Sequence, residues 1–287
     1  MSRAVPWWVR GVVASDRALA EALALRAAVR DAALLHLLDA DTRAAVTAWR
    51  YAGQTTYLPG GAAYTRGLFD WEREALEHLQ LAPGARVLVG GAGGGRELAA
   101  LAALGFTAVG FDPSPGLVAG AAGRLPAGAS LVPGDYAALC EAVEGRGGAL
   151  AGMVAAGPWD AVVCGWGSLS HLPDAASRRR LFAALAALTP RVLVSTVLPP
   201  RHRGRAGKVF GAVGAALDAL GARGRPEADA AYVEGVGFVA RVELAALDAL
   251  AAETGWTRVW GAQGHNCHAV YRRCDVGAAG DGVQSAP

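Results

Sequence analysis

The sequence has no isoleucine, and among its 287 residues it has only one lysine, Lys208, and one asparagine, Asn266. Arginine, alanine and glycine abound instead, which is the usage typical of a GC-rich, bacterial-type coding sequence. The net charge of +2 can therefore reflect codon bias rather than a basic surface. We therefore give the charge little weight, and we expect no nucleic-acid partner because the sequence shows no RNA-binding module and no separate basic domain.

Disulfide, membrane and secretion signals are also missing. The four cysteines show no CxxC spacing, which favours reduced thiols in a cytoplasm. No uninterrupted apolar stretch reaches the roughly 18 residues that span a bilayer, so we expect no membrane partner. The first residues are too short and too interrupted for a secretion signal. These absences together predict a cytoplasmic protein.

The composition is that of a globular chain, with 53% apolar and 18% charged residues. Leucine and alanine recur at helical spacing over residues 15–51, which predicts two helices that break near residues 39–42, with Ser15 and Asp16 as an N-terminal cap. Glycine and proline then predict a loop over residues 52–67. A further helix is expected over residues 68–81.

Strands and helices alternate in the middle of the chain, which predicts an α/β fold with a parallel sheet covered on both faces. The expected strands are residues 86–89, 108–111, 130–132, 160–163 and 191–197, and the expected helices between them are 96–104, 117–124, 136–143 and 176–188. After a basic loop at residues 201–205 we expect helices at 207–220 and 242–253, strands at 257–260 and 268–272, and a disordered tail.

A glycine-rich turn follows the first of these strands, in the sequence VLVGGAGGGRE from Val87 to Glu97. A strand that turns through glycines into a helix brings backbone N–H groups and a helix N-terminus to one point. The dinucleotide pattern G-x-G-x-x-G fails here, because Arg96 stands at its sixth position. Alone, the turn is compatible with a nucleotide ligand or with no ligand.

Acidic residues follow the next two strands. Asp112 comes 19 positions after Gly93, where a carboxylate can accept hydrogen bonds from ribose hydroxyls, and Pro113 rigidifies the turn. Asp135 and Tyr136 end the third strand on the same edge of the sheet, where they can meet an adenine ring. Either Asp can also be a simple turn or helix cap.

The series VLVGGAGGGREL, GFDPSP, PGDY and WDAVVCGWGSLSHL resembles the motifs of class I S-adenosylmethionine-dependent methyltransferases over residues 68–273. The resemblance implies a Rossmann-like, seven-stranded, mostly parallel sheet in the order 3-2-1-4-5-7-6, with strand 7 antiparallel and helices on both faces. It also implies an N-terminal helical cap and substrate-side loop at residues 1–66, a core at 67–275 with an insertion at about 199–238, and a tail at 276–287.

The resemblance implies S-adenosyl-L-methionine (SAM) as the cofactor and assigns residues to it. The methionine and ribose moieties would lie against Gly91, Ala92, Gly93 and Gly95, the ribose on Asp112 beside Pro113, and the adenine against Asp135 and Tyr136. Gly165, after the fourth strand, would let the backbone approach the cofactor.

One position departs from the family, which usually has an acidic residue near the end of the first strand, where this chain has Val89. Arg66 and Arg96 are both placed to pair with the methionine carboxylate instead. An exposed arginine in an arginine-rich chain is the alternative interpretation of each.

On the acceptor side, Trp166, Tyr57 and Tyr64 are the expected substrate-binding residues. His171 is either a general base for an acceptor hydroxyl or amine, or a cap of the next helix. The cluster of His265, Cys267 and His268 raises the question of zinc, but no paired cluster exists elsewhere and we expect no metal site.

The predicted function is methyl transfer from SAM to a hydroxyl or amine of a small-molecule acceptor, with a secondary metabolite as one candidate. The alternatives are a nicotinamide-dependent Rossmann oxidoreductase and a non-catalytic SAM-binding protein. The sequence does not identify the acceptor or the oligomeric state.

Overall fold

The computed structural model describes residues 5–172 and 174–274, which form two compact units. The first unit takes the described part of Met1–Thr47 with Pro199–Val239, and the second takes Ala48–Leu198 with the described part of Ala240–Pro287. The tail predicted at residues 276–287 lies outside the described residues.

The helices and strands follow in chain order. The helices are α1 (Trp7–Leu37), α2 (Ala40–Ala52), α3 (Ala62–Thr65), α4 (Asp70–Leu79), α5 (Arg96–Ala103), α6 (Pro115–Ala121), α7 (Tyr136–Val143), α8 (Ala151–Ala155), α9 (Ala175–Leu188), α10 (Gly204–Ala219) and α11 (Leu244–Glu253), with short 3₁₀ turns at Thr55–Tyr57 and Ser168–His171. The strands are β1 (Arg86–Gly90), β2 (Thr107–Asp112), β3 (Ala129–Pro133), β4 (Ala161–Cys164), β5 (Arg191–Val197), β6 (Ala230–Val233), β7 (Gly237–Ala240), β8 (Trp256–Gln263) and β9 (Asn266–Arg273).

In the first unit, α1 packs against α10. Gly214 of α10 lets the His36 ring approach, since a Cβ there would stand 2.6 Å from His36 Nε2. The predicted basic loop pairs with acids of this same unit: His202 Nε2 lies 2.9 Å from an Asp31 oxygen, and Arg205 binds Glu21 on α1.

The second unit is built on a seven-stranded sheet in the order β3-β2-β1-β4-β5-β9-β8. Strands β1 to β5 pair in parallel, and β9 runs antiparallel to both β5 and β8. The predicted order 3-2-1-4-5-7-6 is confirmed, because the hairpin of β6 and β7 forms a separate two-stranded sheet and shifts the numbering by two.

Apolar side chains cover both faces of this sheet. One cluster includes Phe111, Trp159 and Phe182, and the other includes Val87 and Leu98. Successive residues of β1 are buried on alternate faces, which explains why this central strand is a continuous apolar run rather than an alternating one.

The carboxyl ends of β1 to β4 meet at one edge of the sheet. Gly90 is in register with Phe111 of β2 and with Cys164 of β4, and Val197 at the end of β5 pairs with Asn266 at the start of β9. The loops after these strands and the turn between β8 and β9 therefore share this edge, which we call the carboxyl rim. Ligands of open α/β sheets bind at this edge.

Two expectations about local structure have definite outcomes. The predicted cap at Ser15 is wrong, because α1 already begins at Trp7 and the Ser15 hydroxyl donates to Val12 O within the helix. The predicted break is confirmed, since α1 ends at Leu37 and α2 begins at Ala40. The short α8 and the β6–β7 hairpin fall in segments for which the sequence pattern predicts no element. In the described part of the chain, no helix is both long and apolar enough to cross a membrane.

Candidate active site on the carboxyl rim

The glycine turn after β1 adopts a backbone that other residues rarely adopt. Gly91, Gly93 and Gly95 have φ values of +64°, +57° and +87°. A Cβ on Gly91 would stand 2.5 Å from Ser168 Cβ, and one on Gly94 would stand 2.2 Å from the Tyr57 carbonyl oxygen. The turn therefore combines left-handed backbone with close contacts, and glycine meets both requirements.

Neighbouring strands hold this turn in place. The Asp112 side chain accepts from Gly93 N at 2.7 Å through Oδ2 and from Ser114 N at 2.9 Å through Oδ1. Ala92 N donates to Phe111 O, and Gly165 N donates to Gly90 O at 2.8 Å. Burial raises the pKa of Asp112. The predicted ribose residue is thus brought directly to the glycine turn, with the exposed Pro113 beside it.

Gly165 occupies a position of very close backbone approach. A Cβ there would stand 2.7 Å from Gly91 O. The segment after β4 therefore lies against the glycine turn, and the predicted approach of Gly165 to the cofactor stays a prediction.

The two residues predicted to meet adenine occupy different environments. Asp135 is exposed and caps α7 by accepting from Ala138 N at 2.7 Å. Tyr136 is buried, and its hydroxyl donates to Gly90 O at 3.0 Å and lies 2.6 Å from Ser168 Oγ. The burial of Tyr136 speaks against its predicted contact with a ligand base. Its ring instead supports the glycine turn from inside the core.

Arg96, at the start of α5, is bound by protein groups. Its Nη1 donates to Glu72 and to Gly67 O, both at 2.6 Å, and its Nη2 donates to Glu72 at 2.6 Å and to Glu97 at 2.5 Å. All three charged side chains are at most 8% exposed. This speaks against the predicted pairing of Arg96 with a ligand carboxylate, because its donors already face two carboxylates.

The charges around the glycine turn do not balance. Among the described residues, Glu72 and Glu97 pair with the buried guanidinium of Arg96, while the buried Asp112 accepts from the backbone N–H groups of Gly93 and Ser114. Burial raises the pKa of Glu72, and the nearby Glu97 carboxylate adds to the raised pKa of both Glu72 and Asp112. We call these four residues the acidic cluster. A carboxylate whose pKa is raised by a neighbouring carboxylate favours a cationic neighbour.

Arg66 is exposed after α3, and its guanidinium carbon lies 5.0 Å from the centre of the Phe69 ring. Arg96 approaches the same ring at 4.4 Å. The role predicted for Arg66 toward a ligand carboxylate stays a prediction.

His171 ends the 3₁₀ turn after β4, and its Nε2 lies 3.0 Å from the Tyr51 hydroxyl. The two rings meet edge to face at 5.5 Å, and the Tyr57 ring lies 6.2 Å from that of Tyr51. Burial raises the pKa of Tyr51, so this phenol keeps its proton. The structure therefore presents His171 as one half of a pair with Tyr51.

A cavity of about 370 Å³ opens on the rim beyond β4. Trp166 lines it with Phe69 and Trp71, and the rest of its lining comes from the end of β8, the following turn and the start of β9. Neither Tyr57 nor Tyr64, both half-buried, is among its lining residues. Of the three predicted substrate residues, only Trp166 belongs to this cavity.

His268, one of the histidines considered for zinc, stacks on Trp71 at 3.6 Å with an interplanar angle of 11°. Its Nδ1 lies 3.1 Å from Ser195 Oγ, and burial lowers the pKa of His268 to about 4. Within residues 5–172 and 174–274, no group of three or more His, Cys, Asp or Glu side chains is arranged to hold a metal ion.

Solved structures of methyltransferases are similar to this chain in fold. A SAM-dependent methyltransferase from Methanosarcina mazei is 13% identical, with a TM-score of 0.50, covering 72% of this chain and 98% of its own. The chain has the class I methyltransferase fold. The CcbJ methyltransferase from Streptomyces caelestis is 18% identical, with a TM-score of 0.49, covering 78% of this chain and 97% of its own. No family model matches the sequence, and no curated protein matches it.

Several residues of this methyltransferase fold at the rim were missed from the sequence. Glu97 directly follows Arg96 in the sequence, and this adjacency could have identified it as a site residue. Glu72 lies 24 positions before Arg96 in the sequence, and only the folding of the chain brings its side chain to Arg96. The aromatic side chains Phe69 and Trp71 had no local signal that separated them from core residues.

Proposed function

We propose that the protein transfers a methyl group from SAM to a small-molecule acceptor, at a hydroxyl or an amine. The observation that carries the proposal is the glycine turn held by Asp112 on the carboxyl rim of a methyltransferase fold. Left-handed backbone at Gly91, Gly93 and Gly95 turns the chain directly from β1 into the N-terminus of α5, at the edge where open α/β sheets bind nucleotide ligands. In this proposal the turn is the cofactor cradle and takes the adenosyl ligand.

In this proposal the predicted residues contact different parts of the cofactor. Gly91, Ala92, Gly93 and Gly95 contact the methionine and ribose parts. Asp112 accepts from the ribose hydroxyls, with Pro113 fixing its turn, and Asp135 accepts from the adenine amino group. The bound cofactor would supply a methyl group activated by a sulfonium.

The acidic cluster supports a cationic ligand. It places three carboxylates and one guanidinium beside the glycine turn, and the α-ammonium and the sulfonium of SAM are both positive. In this way Glu72 and Glu97 compensate for the family's acidic residue that is absent at Val89. A nicotinamide dinucleotide carries an anionic pyrophosphate, which the same cluster would repel. The charge balance thus favours SAM over the dinucleotide alternative.

His171 and Tyr51 are proposed to handle the acceptor's proton. Tyr51 keeps its own proton and lies 3.0 Å from His171 Nε2, so it holds the imidazole in place until the acceptor binds. An acceptor hydroxyl or amine that displaces the Tyr51 hydroxyl from Nε2 would deliver its proton to that nitrogen. The presence of this pair favours catalysis over cofactor binding alone.

Methyl transfer can be tested with SAM carrying a labelled methyl group, purified protein and a fractionated metabolite extract. We expect label to move into small molecules with the wild-type protein and not with Gly91→Ala, whose new Cβ would meet Ser168. A Tyr51→Phe variant should keep cofactor affinity and lower turnover. Absence of labelled products across broad extracts, with SAM bound normally, would contradict catalysis and favour the non-catalytic alternative.

A further inference from the structure

We infer that the cavity between Phe69, Trp71, Trp166 and the β8–β9 turn takes an uncharged, planar aromatic ring, which is the methyl acceptor's ring. The assignment to an acceptor rests on the proposed methyl transfer. The preference for a flat, uncharged ring rests on the cavity itself. We call this space the aromatic cavity.

The aromatic cavity lies next to the glycine turn. Gly165 N is bonded to Gly90 O, and the following residue, Trp166, is already part of the cavity lining. Phe69 lies 4.7 Å from the Trp166 ring and 4.4 Å from the Arg96 guanidinium carbon. One aromatic ring thus touches both the acidic cluster and the cavity, so a group bound in the cavity is a neighbour of the cofactor cradle.

The lining rings favour a flat occupant. Trp71 is parallel to His268 within 11° and to Phe69 within 18°. Trp166 meets Phe69 edge-on, with an angle of 66° between the ring planes. A ligand ring can extend the parallel stack or meet Trp166, and aromatic pairs gain energy from such arrangements beyond the area that they bury. A saturated ring of the same size is thicker and has no π face.

The charges around the cavity favour a neutral occupant over a cation. The described lining contains no Asp, Glu, Lys or Arg, and the buried His268 stays neutral near pH 7. Two guanidinium groups, from Arg66 and Arg96, already lie against the Phe69 ring. A further cation would have to compete with both arginines for the π electrons of this ring.

Amide groups give the cavity a polar edge. The Asn266 side chain, oriented to satisfy both of its ends, accepts from Trp166 Nε1 at 3.2 Å and donates to His265 O at 3.0 Å. It thereby braces Trp166. Gln263 lies at the same edge, with its Oε1 accepting from Leu244 N. A mostly apolar cavity of about 370 Å³ with a few polar groups is typical of small-molecule sites.

Calorimetric titration with three probes tests the inference, in the presence of saturating S-adenosylhomocysteine. The probes are 2-naphthol, its saturated counterpart decahydro-2-naphthol, and 2-naphthylmethylammonium. We expect 2-naphthol to bind at least about 10-fold more tightly than either of the others. Trp166→Ala should lower the affinity for 2-naphthol about 10-fold. Trp49→Ala, which removes a tryptophan that is 69% exposed, should leave this affinity unchanged.

Other outcomes separate the two proposals. Equal affinity for the flat and the saturated probe, an unaffected Trp166→Ala variant, or tighter binding of the ammonium probe would overturn the inference. S-adenosylhomocysteine affinity, measured on every variant, reports folding and the cofactor cradle independently. If wild-type protein fails to bind S-adenosylhomocysteine but binds 2-naphthol selectively, the methyltransferase proposal fails and the preference of the cavity stands.

Discussion

The glycine turn and the aromatic cavity are neighbours on one edge of one sheet, yet their chemistry is opposite. The turn lies beside buried charge: among the described residues, Glu72 and Glu97 pair with Arg96, and Asp112 is a third buried carboxylate. The cavity is lined by stacked rings and amides without a described acidic side chain, lysine or arginine. The contrast indicates that one edge binds two different partners, a charged one at the turn and a neutral one in the cavity.

The boundary between these regions is a single side chain. Phe69 presents its ring to Arg96 on one side and to Trp166 on the other, and its backbone N–H is bound by Glu72. Cations at an aromatic face and an aromatic edge at the same ring are compatible, because both are attracted to its π electrons. Substitutions in one region test this boundary when stability and ligand binding are measured for both regions.

Replacing Arg96 by Met should have the largest effect on stability. It leaves Glu72 and Glu97 buried without their cation. Removing one partner of a buried ion pair lowers the free energy of unfolding by about 3 to 5 kcal/mol. Urea unfolding measures the loss. Arg73→Met is the matched control, since Arg73 pairs with Asp70 at the surface and its loss should change stability little. Equal effects of both substitutions would contradict the buried cluster.

Gly91→Ala should lower the affinity for S-adenosylhomocysteine about 100-fold, which corresponds to about 3 kcal/mol of binding free energy. The new Cβ would stand 2.5 Å from Ser168 Cβ at a φ of +64°. Gly105→Ala provides the control, because Gly105 has a φ of +85° but a Cβ added there would meet no atom within 4 Å. It shares the backbone strain without the clash. Calorimetry that finds both variants equally affected would assign the loss to backbone strain alone.

His268 gives the cavity side a pH dependence. Its pKa is about 4 in the folded protein and near 6.5 when unfolded, so the unfolded state binds more protons between these values. Stability should therefore fall as the pH drops from about 6.5 to about 4, by about 3 kcal/mol for this group. His268→Gln should remove that part of the acid sensitivity. Parallel pH profiles of unfolding for both proteins would contradict a buried neutral His268.

Glu97→Gln should have the smallest effect, and it should be selective. It removes one negative charge near the cofactor cradle, so the affinity for the cationic SAM should fall about 10-fold and that for S-adenosylhomocysteine, which lacks the sulfonium, should fall less. Glu141→Gln, on the exposed side of α7, is the control. If Glu97→Gln lowers the affinity for both ligands equally, the charge of Glu97 does not contribute to recognition of the sulfonium.

The sheet could be predicted because its signals are local. Continuous apolar strands, the glycine turn and the acids at strand ends each mark a position without reference to the rest of the chain. The strand order came from the resemblance to the methyltransferase family, and it is confirmed. The start of α1 could not be placed at Trp7, because the apparent cap at Ser15 lies inside the helix and bonds its own backbone.

The site was predictable only on its glycine side. Asp112 reaches the turn as its spacing implies, whereas the partners of Arg96 and the Tyr51–His171 contact depend on packing between distant segments. The sequence pattern also could not distinguish a tyrosine that faces a ligand from one that supports the turn, as Tyr136 does. Strand position predicts an edge of the sheet, but it does not predict burial there.

The most direct test of the central claim is a titration of the wild-type protein with SAM and, separately, with NAD⁺ and NADH. We expect one SAM bound per chain and no measurable binding of either dinucleotide, because the glycine turn is set beside an excess of buried carboxylates. Binding of a dinucleotide without binding of SAM would contradict the claim that this rim is a SAM site.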